Sequence, residues 1–153
     1  MAKFEKSVMR QNQPLLLIED NEDDRFFFKR ALKAAGVSNP LFVAEDGQKA
    51  IDYLSGTGVF GDRERYPVPS LVLLDLNLPE IKGLEVLSWL KQQDSLRRVV
   101  TVVLTSSREP SDVRKAYQMG ANSYLVKPST SGQLEDLVKT LDEYWLQFNV
   151  FDK

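Results

Sequence analysis

The chain contains neither cysteine nor histidine. Without cysteine there are no disulfides, thiolate metal sites, iron–sulfur clusters or thiol nucleophiles. Without histidine there is no Ser-His-Asp triad, no His-ligated zinc, no imidazole base and no histidine phosphodonor. Chemistry in these 153 residues must come from carboxylates, Lys, Arg, Ser, Thr, Tyr and the backbone. Neither sign of charge is in excess. The 20 basic and 22 acidic residues leave a net charge of −2, which provides no global basic field for nucleic acid and no acidic, solvating chain. No apolar run approaches the roughly 18–20 residues that span a bilayer, and residues 1–13 lack the apolar stretch of a signal peptide. A cytoplasmic protein with no membrane or nucleic-acid partner is expected.

Hydrophobic residues make up 42% of the chain, enough for one ordinary core. They concentrate in five short runs: Leu15–Ile18, Leu41–Ala44, Leu71–Leu74, Val99–Leu104 and Tyr124–Val126. Most are solidly apolar, as in strands buried on both faces of a parallel sheet. Between them lie segments with helical spacing: Phe28, Ala31, Leu32, Ala35; then Gly47, Ala50, Ile51, Leu54; Gly83, Val86, Leu87, Leu90; and Val113, Ala116, Tyr117, Gly120. The last segment runs through Leu134, Leu137, Val138, Leu141, Trp145 and Phe148. Asn21 is placed to cap the first helix, Gly36 and Gly120 to end helices, and Thr130 with Gln133 has capping-box spacing. The Phe26-Phe27-Phe28 run reads as core plus an exposed ring. This is a (βα)5 pattern, and right-handed crossovers turn it into an open, doubly wound parallel sheet. Residues 55–70, with three glycines and two prolines, form the one long irregular loop, where Arg63 and Arg65 are expected in solvent.

In such sheets ligands gather outside the carboxyl ends of the strands. Those ends carry Glu19-Asp20, Asp75-Leu76-Asn77, Thr105-Ser106-Ser107 and Lys127-Pro128. Acids after the first strand would repel a phosphate directly. Glu19, Asp20 and Asp75 instead suit a hard divalent cation with oxygen ligands, foremost Mg²⁺. A cation there tolerates one phosphoryl group, with Lys127 as point charge and Thr105 as hydroxyl donor.

The stretches 16–21 (Leu-Leu-Ile-Glu-Asp-Asn), 72–79 (Val-Leu-Leu-Asp-Leu-Asn-Leu-Pro), 103–106 (Val-Leu-Thr-Ser) and 124–128 (Tyr-Leu-Val-Lys-Pro), with Gly83, occur in order at strand ends. In this the chain resembles the receiver domains of two-component response regulators, and more loosely the single-domain type that partners phytochrome kinases. The resemblance implies a flavodoxin-like (βα)5 fold with strand order 2-1-3-4-5 and a receiver over residues 14–148. A flexible segment over 1–13 and a tail over 149–153 flank it. It implies that Asp75 accepts a phosphoryl group from a sensor histidine kinase in a Mg²⁺-dependent reaction, and the looser resemblance implies a kinase of the bacteriophytochrome type. Asp20 is then the principal metal ligand, Glu19 its neighbour acting through water, and Asn77 the source of a backbone carbonyl. Thr105 and the adjacent Ser106, Tyr124 and Lys127 fall at phosphate-binding and switch positions, and Lys127-Pro128 at a cis peptide.

Two other readings compete. A haloacid-dehalogenase-type phosphatase also uses Asp, Thr or Ser, Lys and Mg²⁺. It expects its nucleophile after the first strand and a second Asp two residues on; here that position is Asn77, so leaving-group protonation lacks an agent. A non-phosphorylated pseudo-receiver adaptor would not need the set Asp20, Asp75, Thr105 and Lys127. Since the receiver pattern fills the chain, output is expected through protein contacts on the face of helix four, strand five and helix five, not through turnover. The aromatic end raises a homodimer expectation. Leu141, Trp145 and Phe148 form one internal stripe, which leaves Tyr144, Val150 and Phe151 without intramolecular cover. An interface over Tyr144, Trp145, Phe148, Val150 and Phe151 follows. The alternative is a tail folded back on its own domain.

Overall fold

A computed structural model of the chain describes residues 13–152. The segment expected over 1–13 lies, apart from Gln13, outside the described residues, as does Lys153. The strands are β1 (Leu15–Ile18), β2 (Leu41–Ala44), β3 (Leu71–Leu74), β4 (Val100–Thr105) and β5 (Ser123–Val126). The helices are α1 (Glu22–Ala34), α2 (Gly47–Ser55), α3 (Gly83–Gln92), α4 (Pro110–Gln118) and α5 (Ser131–Leu141). All strand pairings are parallel, in the order β2-β1-β3-β4-β5. The alternation of apolar runs and helical stripes leads to an open parallel sheet, and this strand order is the flavodoxin-like one that the receiver-domain resemblance implies.

The unbroken apolar runs are explained by the two layers. β1 and β3 are buried at every position. Because successive strand side chains point to opposite faces, Leu16, Ile18, Val72 and Leu74 pack with Ala50, Tyr53, Leu54, Val86, Leu87, Leu90 and Ala116 from α2, α3 and α4. Leu15, Leu17, Leu71 and Leu73 pack with Phe28, Ala31, Leu32, Val138 and Leu141 from α1 and α5. The helix ends follow their local chemistry. Asn21 accepts from the Asp24 N–H at 2.9 Å and Thr130 from the Gln133 N–H at 3.2 Å. Gly36 and Gly120 take left-handed φ values of 74° and 105° just past α1 and α4, where other residues would be strained. Phe28 is buried and Phe26 exposed, as the triple-Phe run suggests.

Three expectations are corrected. First, residues 55–70 contain a 3-10 turn at Gly58–Gly61, and Arg63 is not a solvated side chain. Its guanidinium donates to the carbonyls of Tyr53 (2.8 Å), Leu54 (2.8 Å) and Tyr66 (3.1 Å), so it clasps the carbonyl end of α2. Arg65 is exposed. Second, the C-terminal stripe changes phase. Residues Asp142–Phe148 continue α5 as a π-helix, closed by the Asn149 N–H on the Tyr144 carbonyl at 2.7 Å. The wider turn brings Leu146, not Phe148, beneath Leu141: Leu146 is 4% exposed and Phe148 80%. Third, Phe151 packs against the α1/α5 core, and Asp152 pairs with Arg98 at 3.3 Å. That part of the tail does fold back, while Tyr144, Phe148 and Val150 stay exposed.

Candidate functional site

The strand order places the ends of β1, β3, β4 and β5 side by side, and their polar residues meet there. Asp75 ends β3 buried, with both carboxylate oxygens engaged. Oδ1 accepts from the Thr105 hydroxyl at 2.8 Å and the Asn77 N–H at 3.1 Å. Oδ2 accepts from the Lys127 ammonium at 2.9 Å. Glu19, also buried, meets Lys127 Nζ through Oε1 at 2.5 Å and takes the Asn21 N–H on Oε2 at 3.2 Å. Oxygens of Glu19, Asp20 and Asp75 lie within 4.8 Å of one another. Hard oxygen donors so grouped fit a hard divalent cation.

The site separates its acids electrostatically. Burial pushes the Glu19 carboxyl up to about 7, reinforced by the Asp75 charge and only partly countered by Lys127 and the Asn21 N–H. Burial acts on Asp75 in the same sense, but Lys127, the Asn77 N–H and the Thr105 hydroxyl outweigh it and hold Asp75 below the usual carboxylate range. Lys127 is itself held above its ordinary value: burial lowers it, and Asp24, Glu19 and Asp75 more than compensate. At neutral pH an ionised carboxylate therefore faces an ammonium and a hydroxyl.

Asn77 bridges outward. Its amide donates to Ser106 Oγ at 3.3 Å and lies 3.5 Å from Thr105 Oγ1. Tyr124 stands one strand over, half-buried, with its hydroxyl donating to the Ser107 carbonyl at 2.9 Å. The residues singled out at the strand ends, Glu19, Asp20, Asp75, Asn77, Thr105, Ser106, Tyr124 and Lys127, thus share one edge. The aromatic residues 144–151 belong to a different surface.

One expectation at this edge is overturned. No cis peptide occurs among the described residues, so Lys127–Pro128 is trans. Trans is the lower-energy form of an X–Pro bond by about 0.5–1 kcal/mol, and Lys127 reaches Glu19 and Asp75 from it. Two residues escape the sequence reading. Arg25 donates to the carbonyls of Glu19 (3.1 Å) and Asp20 (2.8 Å), which ties α1 to the acidic loop. Asp24 pairs with Lys127 at 2.8 Å. An acid in a first helical turn reads as a dipole complement, and nothing local shows a lysine 103 residues away reaching it.

The response regulator receiver domain model matches residues 15–139. The probable methanogenesis regulatory protein FilR2 of Methanothrix harundinacea is 40% identical over 135 residues, 88% of this chain and 84% of that protein. Response regulator Rcp1 of Synechocystis is 36% identical over 133 residues, 87% of this chain and 88% of its own. A structure of its Mn²⁺-bound form superposes with a TM-score of 0.83 at 34% identity, covering 92% of this chain and 99% of that one. The phosphorylated cyanobacterial phytochrome response regulator RcpA superposes with a TM-score of 0.85 at 33% identity, covering 93% of this chain and 99% of that one. The matched length, the strand order and the carboxylate, hydroxyl and ammonium at one sheet edge have a single reading: the chain belongs to the response regulator receiver domains, and its relatives include phytochrome response regulators.

Proposed function

We propose that this protein is a phosphorylatable response regulator in which Asp75 accepts a phosphoryl group from a sensor histidine kinase, one of phytochrome type, in the cytoplasm. The observation that carries the reading is the buried, ionised Asp75 carboxylate, with Thr105 on one oxygen, Lys127 on the other, and two more acids beside it. A kinase of that type is supported by the similarity to RcpA. The receiver unit spans 14–148, with 149–153 as its tail.

Mg²⁺, held by Asp20, Asp75, the Asn77 carbonyl and, through water, Glu19, would neutralise charge on the phosphoryl oxygens. The protein's own residues do the rest by position. An Asp75 oxygen attacks phosphorus in line as the bond to the donor's imidazole nitrogen breaks, and the imidazole leaves with the electron pair. Among the described residues Oδ2 accepts from Lys127 alone, and it keeps a further lone pair for the attack. Lys127 can pass from Asp75 to a phosphoryl oxygen without changing its own charge. The leaving group is an imidazole and not an alkoxide, so no acid has to protonate it at this position, and Asn77 suffices where a phosphatase would require an aspartate.

The product is read out by Thr105 and Tyr124. Thr105 turns from Asp75 Oδ1 toward the phosphoryl group, Tyr124 gives up its contact with Ser107, and the face of α4, β5 and α5 changes shape. The same face serves a homodimer through Tyr144, Trp145, Phe148 and Val150, with Phe151 turned inward. A groove between Ser123, Leu125, Leu137, Leu141 and Tyr144 beside the edge strand supports this.

Asp75→Asn is nearly isosteric and should keep the fold while abolishing Mg²⁺-dependent labelling by acetyl phosphate. Undiminished labelling of that variant at one site would remove Asp75 from the role.

A further inference from the structure

Lys127 has more acidic partners than the phosphoryl-transfer reading uses. An ammonium has three N–H donors, and three carboxylates surround this one: Glu19 at 2.5 Å, Asp24 at 2.8 Å and Asp75 at 2.9 Å. Glu19 and Asp75 also belong to the group of oxygens that converges with Asp20. Asp24 does not. It is the third residue of α1, and its backbone N–H is held by the Asn21 cap. Asp24 and Lys127 also border one cavity of about 430 Å³, with Phe27, Phe28 and Leu134 along its apolar side.

Dipole complementarity explains acids in this turn generally. Glu22 and Asp23 meet that need from exposed positions. The Asp24 carboxylate is the one of the three that meets Lys127. Its contact matters most when the other two are withdrawn. With a divalent cation bound, Asp75 would be engaged by it directly and Glu19 through water, and after transfer a phosphoryl oxygen would stand in for the Asp75 acceptor. The ammonium sits on a flexible four-carbon stem with much rotamer freedom to lose. With Glu19 and Asp75 so engaged, a lysine lacking Asp24 would swing into the cavity or compete with the cation for the Glu19 and Asp75 oxygens.

Resting on the reading of Asp75 as phosphoacceptor, we infer that Asp24 is a positioning residue: it keeps the Lys127 ammonium aimed at the transfer site while Glu19 and Asp75 are engaged elsewhere. It touches neither the donor nor the cation, and acts only through Lys127.

The experiment is a double-mutant cycle. Maximal phosphorylation rates at saturating Mg²⁺ and acetyl phosphate are measured for the parent, Asp24→Ala, Lys127→Ala and the double variant. Asp23→Ala serves as the control for helix charge. A charge-assisted hydrogen bond is worth enough that Asp24→Ala should lower the maximal rate about tenfold. The half-saturating donor concentration should not rise. The same substitution should change the rate less than about twofold in the Lys127→Ala background, and Asp23→Ala should keep the parental rate. No loss in Asp24→Ala, an equal loss in both backgrounds, or an equal loss from Asp23→Ala would each overturn the assignment.

Side-chain NMR of the Lys127 methylene next to Nζ, in the Mg²⁺-loaded protein without donor, supplies a readout independent of phosphorylation. Asp24→Ala should make that group more mobile, and unchanged relaxation overturns the inference. Should the parent take up no phosphoryl group, the phosphoacceptor reading falls and the NMR arm still decides the Lys127–Asp24 relationship.

Discussion

Tyr53 sits with 2% of its surface exposed, ringed by Phe42, Phe60 and Tyr66 at centroid distances of 5.7, 5.2 and 6.1 Å. Its hydroxyl donates to the Pro67 carbonyl at 2.9 Å, so a single phenol fastens the 55–70 loop to the α2 side of the sheet. Burial pushes its pKa up to about 12 from 10.0, with the Arg63 charge opposing. For a group raised in this way, the contribution is complete below the unfolded value and is lost as pH rises through the folded one. Tyr53 should therefore support folding fully below about pH 10 and lose about 1 kcal/mol of that support by about pH 11. Unfolding free energies of the parent and Tyr53→Phe, compared from about pH 9 to about pH 11, check this. Tyr53→Phe should cost about 1 kcal/mol at neutral pH through the lost hydrogen bond, and the gap should close with rising pH. A gap that stays constant would mean the phenol ionises as freely inside as outside.

At the scale of elements, the geometry of Asp75 depends on how closely α3 approaches the end of β3. Gly83 opens α3, and its N–H donates to the Leu76 carbonyl at 3.1 Å. A Cβ at this position would lie 2.2 Å from the Asp75 carbonyl oxygen and 2.6 Å from the Leu76 Cα. Backbone cannot yield as a flexible side chain does, so Gly83→Ala must push α3 away or displace the Asp75–Leu76 peptide. Overpacking of this kind costs about 1–3 kcal/mol. The expected outcome is a melting temperature lowered accordingly, together with slower labelling of Asp75, because the displaced backbone is the one that aims the carboxylate. Melting and labelling rates that both match the parent would show that the helix has slack the structure does not suggest.

For the molecule as a whole, the open question is what covers the C-terminal aromatic surface. Tyr144 (58% exposed), Phe148 (80%) and Val150 (90%) lie outside the core, and Tyr144 lines a groove with Ser123 and Leu125 of the edge strand β5. Deleting the tail would also remove the Phe151 packing and the Asp152–Arg98 pair, so charge substitution on the exposed residues is the cleaner perturbation. The parent should have the mass of a dimer in solution, and the Tyr144→Glu, Phe148→Glu double variant that of a monomer with unchanged melting. A parent that is monomeric with and without acetyl phosphate would refute the dimer. A variant that keeps the parental mass would refute this interface.

The sequence by itself determined the sheet, its helices and the chemistry at its edge. Apolar runs such as Leu15–Ile18 and Leu71–Leu74 read as strands buried on both faces because they alternate with amphipathic helical segments, and polar residues at the carboxyl ends of parallel strands share one edge. Glu19, Asp20, Asp75, Thr105 and Lys127 were legible for that reason. Tertiary structure decided whatever depended on partners distant in sequence or on a local change of period. The Lys127–Asp24 pair joins opposite ends of the chain, and neither residue's neighbours mention the other. Arg63 reads as solvated until the carbonyls closing α2 turn up beside it. The apolar residues 141–151 do not reveal where α5 widens into a π-turn, so the choice of Leu146 over Phe148 as the buried residue belonged to the backbone. The Lys127–Pro128 bond is trans, and the ammonium meets its carboxylates from that form.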